Sequence, residues 1–164
     1  MSKVHRIKVE MLTPEAFAPY GRVIDIPKDP APFGGEGWSC WFPLGTMENI
    51  NSVGIGFTET LRREFVIEKM ERHETKEETL MPLADPIIQP MALPQDLDDP
   101  DAQPDPHTVR AFLIRPGQAI IMKNGAWHSP AYAVDKDTVY VFFAESSDER
   151  YPWIKFKGDV IVEM

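Results

Sequence analysis

One cysteine in 164 residues, Cys40, excludes an intrachain disulfide and any paired-thiol zinc or redox motif. A reducing compartment is the expectation. Positive charge is scarce as well, with 17 Lys and Arg against 26 Asp and Glu and a formal charge of −9. Nucleic-acid binding needs a basic stripe, and these cations are scattered, so that role is disfavoured and the acidity bears mainly on solubility. No run approaches the roughly 20 apolar residues that span a bilayer. The opening MSKVHRIKVEML also lacks the apolar core of a leader peptide. A soluble cytoplasmic protein with no membrane role is therefore expected. Internal repeats and low-complexity tracts are missing too.

What the chain has is a succession of short apolar or alternating runs: RIKVEML, GRVIDI, SVGIGF, FVIEKM, IIQPMAL, TVRAFLI, QAIIM, TVYVFFA and DVIVEM. Sixteen prolines fall among the breaks. Many short strands separated by turn residues predict an all-β sandwich or barrel. The hydrophobic share of 43% suits one domain over residues 1–164. One short helix is expected in LTPEAFAPYG, with Thr13 as N-cap, Pro14 at the first helical position and Gly21 past the end; it should plug one end of the sheets. Ala92 to Thr108, rich in Pro and Asp, reads as an exposed loop.

Two stretches gather the residues that do chemistry. In MERHETKEETLMPL, period-2 alternation puts Glu71 and His73 on one strand face, and Glu78 can return to that face after a turn. Glu77 belongs to the charged run HETKEE, which by itself reads as a solvated turn. In GQAIIMKNGAWHSP, a strand runs into a turn at Lys123 to Gly125, and His128 starts the returning strand. In a barrel such strand starts can face one cavity. Glu71, His73, Glu78 and His128 together offer mixed oxygen and nitrogen ligation, compatible with nickel, manganese, iron or zinc and selective for none.

The layout Gly117, Lys123, Gly125, His128 resembles the second cupin motif, with Lys123 at the proline position. Glu71-x-His73 followed by Glu78 resembles the first motif, with Glu71 in place of its first histidine. The resemblance implies a jelly-roll barrel with one or two short helices and a divalent metal held by Glu71, His73, Glu78 and His128. A narrower likeness covers most of the chain. Thr13 to Gly21, Glu71-Arg72-His73 with Pro82, Arg110-Ala111-Phe112, and Trp127-His128 with Pro130 are together similar to the ureidoglycolate lyase family, small cupins of purine breakdown. Lys123 stands where His is expected in that family, and Glu78 where Gln is common.

The implied reaction is cleavage of ureidoglycolate to glyoxylate and urea, or the cleavage of a close 2-hydroxy acid relative. It removes a hydroxyl proton and delivers one to the departing nitrogen. His128 is the first candidate for the base and His73 the next. Lys123 is the preferred cation for the substrate carboxylate and also a catalytic candidate. Arg72 is the second cation, although it alternates away from His73 on a regular strand. Trp127 is expected to wall the pocket and touch substrate. Trp38, Trp41 and Phe42 in GWSCWFP suggest a dimer contact ahead of core or lid, and the family likeness implies a homodimer. His5 and His107 read as surface residues. Two other functions fit the same residues: a metal-dependent sugar-acid isomerase or epimerase, and a non-catalytic cupin that binds an organic acid or sugar.

Overall fold

Alternation along the chain becomes alternation of burial. In the strand Val53–Thr60, residues 53, 55 and 57 are exposed while those between are half-buried. The computed structural model describes residues 4–147 and 151–164; Met1 to Lys3, at the head of the opening stretch, lie outside the described residues. Strands are β1 (Val4–Met11), β2 (Gly21–Asp25), β3 (Phe33–Gly35), β4 (Trp38–Cys40), β5 (Val53–Thr60), β6 (Val66–Met70) and β7 (Glu78–Pro82). They continue with β8 (Ile87–Ala92), β9 (Arg110–Ile114), β10 (Gln118–Met122), β11 (Trp127–His128), β12 (Tyr132–Ala133), β13 (Thr138–Glu145) and β14 (Ile154–Glu163). A helix α1 (Pro14–Phe17) and a 3-10 turn at Pro106–Thr108 complete the elements.

Among the described residues, one sheet runs β11-β8-β9-β1-β14-β6, with β12 also pairing β8, and a second runs β2-β10-β7-β13-β5. β3 and β4 form a separate hairpin. The all-β, cupin-type barrel expected from the sequence is what the chain forms. Its interior collects Leu80, Ile87, Met91, Phe112, Ile114, Ile120 and Met122 from four strands of the two sheets. The helix closes one end as expected: Thr13 accepts a hydrogen bond from the Ala16 amide at 3.1 Å, and Phe17 and Tyr20 pack on Phe112. Gly21 follows because a Cβ there would lie 2.0 Å from the Ile121 carbonyl oxygen.

β8 is buried along its whole length, as the unbroken run IIQPMA suggests for a strand covered on both faces. Its ladder toward the segment 127–133 lapses at one place. Ile87 and Ile88 pair with Ala133 and Tyr132, Met91 and Ala92 pair with His128 and Trp127, and Gln89 and Pro90 pair with neither strand. Proline has no amide hydrogen to contribute, so the interruption falls where the chemistry of the chain puts it. Ser129 to Ala131 consequently swing past the strand rather than along it.

One reading is corrected here. Glu77 is not a solvated turn residue: it is 4% exposed, held by both terminal nitrogens of Arg22 at 2.8–2.9 Å, and accepts from the Glu48 amide at 2.7 Å. This bond holds the Arg22 guanidinium above its ordinary pKa, against the opposing effect of burial. Because Arg22 is partly solvated, Glu77→Ala is expected to lower unfolding free energy by about 1–2 kcal/mol in urea titrations, well short of a fully buried pair. In GWSCWFP, Trp38 and Phe42 are exposed, which excludes the core alternative for them, and Trp41 donates its indole N–H to the Asp29 carbonyl at 3.0 Å. His107 is exposed and His5 half-buried, and their rings meet edge to face at 4.4 Å.

Candidate metal centre and cavity

The strand β6 stops at Met70, one residue before the position expected of it, so Glu71 and His73 do not share a regular strand face. Convergence comes by another route. Glu71 forms a lone antiparallel bridge with His128, each amide donating to the other's carbonyl at 2.9 Å. Directly opposed residues project their side chains to one side of a pair, so the carboxylate and the imidazole meet. His73 is fixed from behind: its carbonyl accepts from the Gly125 amide at 2.6 Å, and Gly125 has the positive φ of 79° that the turn after Lys123 requires. Glu78 opens β7 opposite Met122 and faces inward with Leu80.

These four side chains line one cavity of about 340 Å³ with Thr58, Gln89, Ser129, Tyr140 and Tyr151. Oε1 of Glu71 lies 3.9 Å from Nε2 of His73 and 3.7 Å from Nε2 of His128. The imidazoles meet edge to face at 5.0 Å, and Tyr151 stacks on His73 at 4.2 Å. One donor atom from each of Glu71, His73 and His128 falls within 4.8 Å of the others, which makes these three a candidate metal-ligand set. Two donors about 2.1 Å from one ion at a tetrahedral angle stand roughly 3.4 Å apart, close to these separations. His128 fits further: Nδ1 lies 3.1 Å from the Ala126 carbonyl, which fixes the proton there and leaves the buried Nε2 lone pair without a hydrogen-bond partner among the described residues. Glu78 is placed differently from the expected fourth ligand. Its Oε2 lies 3.4 Å from Nδ1 of His73, the nitrogen turned away from Glu71, so it orients that ring from outside the set.

Burial lowers the affinity of His128 for a proton; Glu78 and Glu71 partly oppose this and His73 adds to it. The sign for stability follows. The neutral ring is favoured in the folded chain, so its contribution is fully present above the ordinary imidazole value near 6.5 and is lost as pH falls from there through the folded pKa. In metal-free protein, melting temperature is expected to fall between pH 7 and 5, and His128→Asn should flatten that slope.

Arg72, Trp127 and Lys123 are not among the described residues lining the cavity. Arg72, expected to bind a carboxylate, is buried on the far side. Its guanidinium donates to the Asp96 and Asp99 carbonyls at 3.0 and 2.9 Å and lies 5.0 Å over the Trp127 ring. Arg72 thus points away from His73 although no regular strand runs through the pair, and the acidic loop supplies carbonyls rather than charge. Trp127 packs with Ile88, Ala111 and Val160 in the second core cluster, not against the cavity. Lys123 leads into the turn, its amide donating to the Tyr20 carbonyl at 2.9 Å and its carbonyl accepting from the Ala126 amide at 3.2 Å. Gln89, Ser129 and Tyr151 were not singled out from the sequence. A lone amide side chain inside IIQPMAL was the available signal for the first of them.

Two facing sheets enclosing a histidine and carboxylate cluster define a small cupin-type protein with a candidate divalent metal centre. Residues 4–153 match the family model described as ureidoglycolate lyase, and the chain belongs to that family. It is 30% identical over 137 residues to a ureidoglycolate lyase of Pseudomonas paraeruginosa, covering 79% of this chain and 78% of that one. With the ureidoglycolate lyase of Schizosaccharomyces pombe it shares 24% identity over 159 residues, 84% of this chain and 83% of the relative. Among solved structures, RmlC from Streptococcus suis in complex with dTDP-D-xylose aligns with 64% of this chain and 51% of its own at 8% identity and a TM-score of 0.40.

Proposed function

We propose that this protein is a lyase that cleaves ureidoglycolate to glyoxylate and urea in the cavity between the two motifs. The observation that carries the reading is the meeting of Glu71, His73 and His128 at one point in a chain whose family is that of the ureidoglycolate lyases. The reaction needs no water. The carbinol hydroxyl gives up a proton, its oxygen becomes the aldehyde of glyoxylate, the carbon–nitrogen bond breaks toward nitrogen, and that nitrogen gains a proton to complete urea.

Glu71 Oε1, His73 Nε2 and His128 Nε2 would hold a divalent ion. When bound, such an ion polarises the substrate's hydroxyl or carboxylate oxygen and offsets the negative charge of the two cavity carboxylates. An imidazole lone pair that holds an ion cannot also take a proton, so the two roles the sequence suggests for His73 and His128 exclude each other. The burial of His128 favours the neutral, ligating state. Both imidazole contacts of Glu71 run to Oε1, leaving Oε2 outside them. In this reading Oε2 takes the hydroxyl proton and returns it to the departing nitrogen. Glu78 keeps His73 in position from the opposite edge of the ring, a task that glutamine can share.

The test is direct: purified protein, supplied in turn with manganese, nickel, iron or zinc, is incubated with ureidoglycolate and glyoxylate is followed. Glyoxylate released in step with urea supports the lyase. No release with any of these ions, from protein that is folded and carries the ion, rules it out.

A further inference from the structure

The lyase reading leaves one part of the cavity without a task. Gln89 lies midway along β8 with its side chain on the same face as Ile87 and Met91, inside the barrel, and is 1% exposed. Its amide nitrogen donates to two carbonyl oxygens, that of Ser129 at 2.8 Å and that of Pro90 at 3.0 Å. Carbonyls can only accept, so these two bonds consume both amide hydrogens and decide which end of the side chain is the oxygen. That oxygen, Oε1, is buried and has no hydrogen-bond partner among the described residues, and neither has the buried Oγ of Ser129. Both residues line the cavity that holds Glu71, His73 and His128. Leaving such atoms unmatched is costly, which is why buried polar atoms in folded proteins are nearly always satisfied.

The arrangement is a built one. The lapse in the ladder at Gln89 and Pro90 brings the Ser129 carbonyl to the Gln89 side-chain amide, and that bond fixes the rotamer and with it the position of Oε1. The wall therefore offers a fixed acceptor and, in the Ser129 hydroxyl, a rotatable donor. A ureido group is the complement of that pair, since its terminal NH₂ donates and its C=O accepts.

We infer that Gln89 and Ser129 form the subsite for the ureido end of the substrate, with Gln89 Oε1 accepting from the terminal NH₂ and Ser129 Oγ donating to the carbonyl. The inference rests on the lyase reading for its substrate but not for its test. Gln89 acts here as a specificity residue: it separates ureido acids from acids of the same shape that end in a methyl group. A site built around a hydrogen bond rejects the analogue lacking it far more strongly than an apolar pocket rejects a missing methylene.

Hydantoate and N-acetylglycine differ only in NH₂ against CH₃, and neither has the hydroxyl that the lyase would deprotonate. Calorimetric titration of the wild-type protein loaded with a divalent ion is expected to give at least about 10-fold tighter binding of hydantoate. Gln89→Leu should bring the ratio of the two affinities to near one, and glyoxylate, which lacks the ureido group, should bind both proteins alike. Equal affinities in the wild type, no binding of either ligand, or a preference that survives Gln89→Leu would each overturn the subsite. Should Gln89→Leu not fold, the wild-type ratio and Ser129→Ala, expected to weaken hydantoate and N-acetylglycine together without changing their ratio, decide the matter. Discrimination without glyoxylate release from ureidoglycolate would sink the lyase and keep the subsite; turnover without discrimination would do the reverse.

Discussion

Glu71→Gln is expected to lower kcat for ureidoglycolate by about 10²–10⁴-fold at saturating divalent ion, the range that a positioned proton-transfer group contributes. The amide keeps an oxygen where Oε1 stands, 3.7–3.9 Å from the two imidazole nitrogens, but offers no carboxylate to take the hydroxyl proton. The loss should therefore fall on kcat, with KM little changed, the signature of an interaction made in the transition state. Glu78→Gln is the control, because the Glu78 carboxylate lies 3.4 Å from the outer nitrogen of His73 rather than within the candidate ligand set. Its turnover should stay within about 10–100-fold of wild type, as for other outer partners of a metal site. A larger loss from Glu78→Gln than from Glu71→Gln would show that the proton-carrying carboxylate had been misassigned.

The second large effect is on ion binding. Apo protein titrated with zinc or manganese should take up one ion per chain, and His128→Ala should weaken that binding by more than about 100-fold, since even outer partners are worth 10–100-fold. His128 is the most informative position because its Nε2 has no hydrogen-bond partner among the described residues and its ring is already fixed through Nδ1. The thermal midpoint of the wild type should rise on adding the ion, by an amount that grows with ion concentration, and that of His128→Ala should not. Unchanged affinity in His128→Ala would remove the metal centre, and with it the argument that excludes the imidazoles from proton transfer and assigns it to Glu71.

Much of this was legible in the chain, for identifiable reasons. Strand runs such as TVYVFFA and QAIIM carry their own period, and the helix in LTPEAFAPYG carries its cap, so local chemistry alone places them. The meeting of Glu71, His73 and His128 was anticipated from spacing, but the means was not. An isolated bridge between residues 71 and 128 is a long-range pairing that no local pattern encodes. Arg72 and Trp127 were misplaced because proximity along the chain to His73 and His128 was read as proximity to the cavity, whereas neighbours on extended backbone point to opposite sides. Glu77 looked like one more charge in a polar run, and only its distant partner Arg22 makes it a buried anchor. Gln89 escaped because a single amide in an apolar strand gains meaning only when its partners, the Ser129 and Pro90 carbonyls, are known.

Anomalous diffraction from a crystal grown with manganese is the most direct test of the central claim, that Glu71, His73 and His128 converge to hold an ion in the reacting cavity. A single strong peak within about 2.0–2.3 Å of Glu71 Oε1 and both Nε2 atoms is the expected result. A peak elsewhere, or imidazoles of His73 and His128 turned away from each other with no density between them, would contradict it.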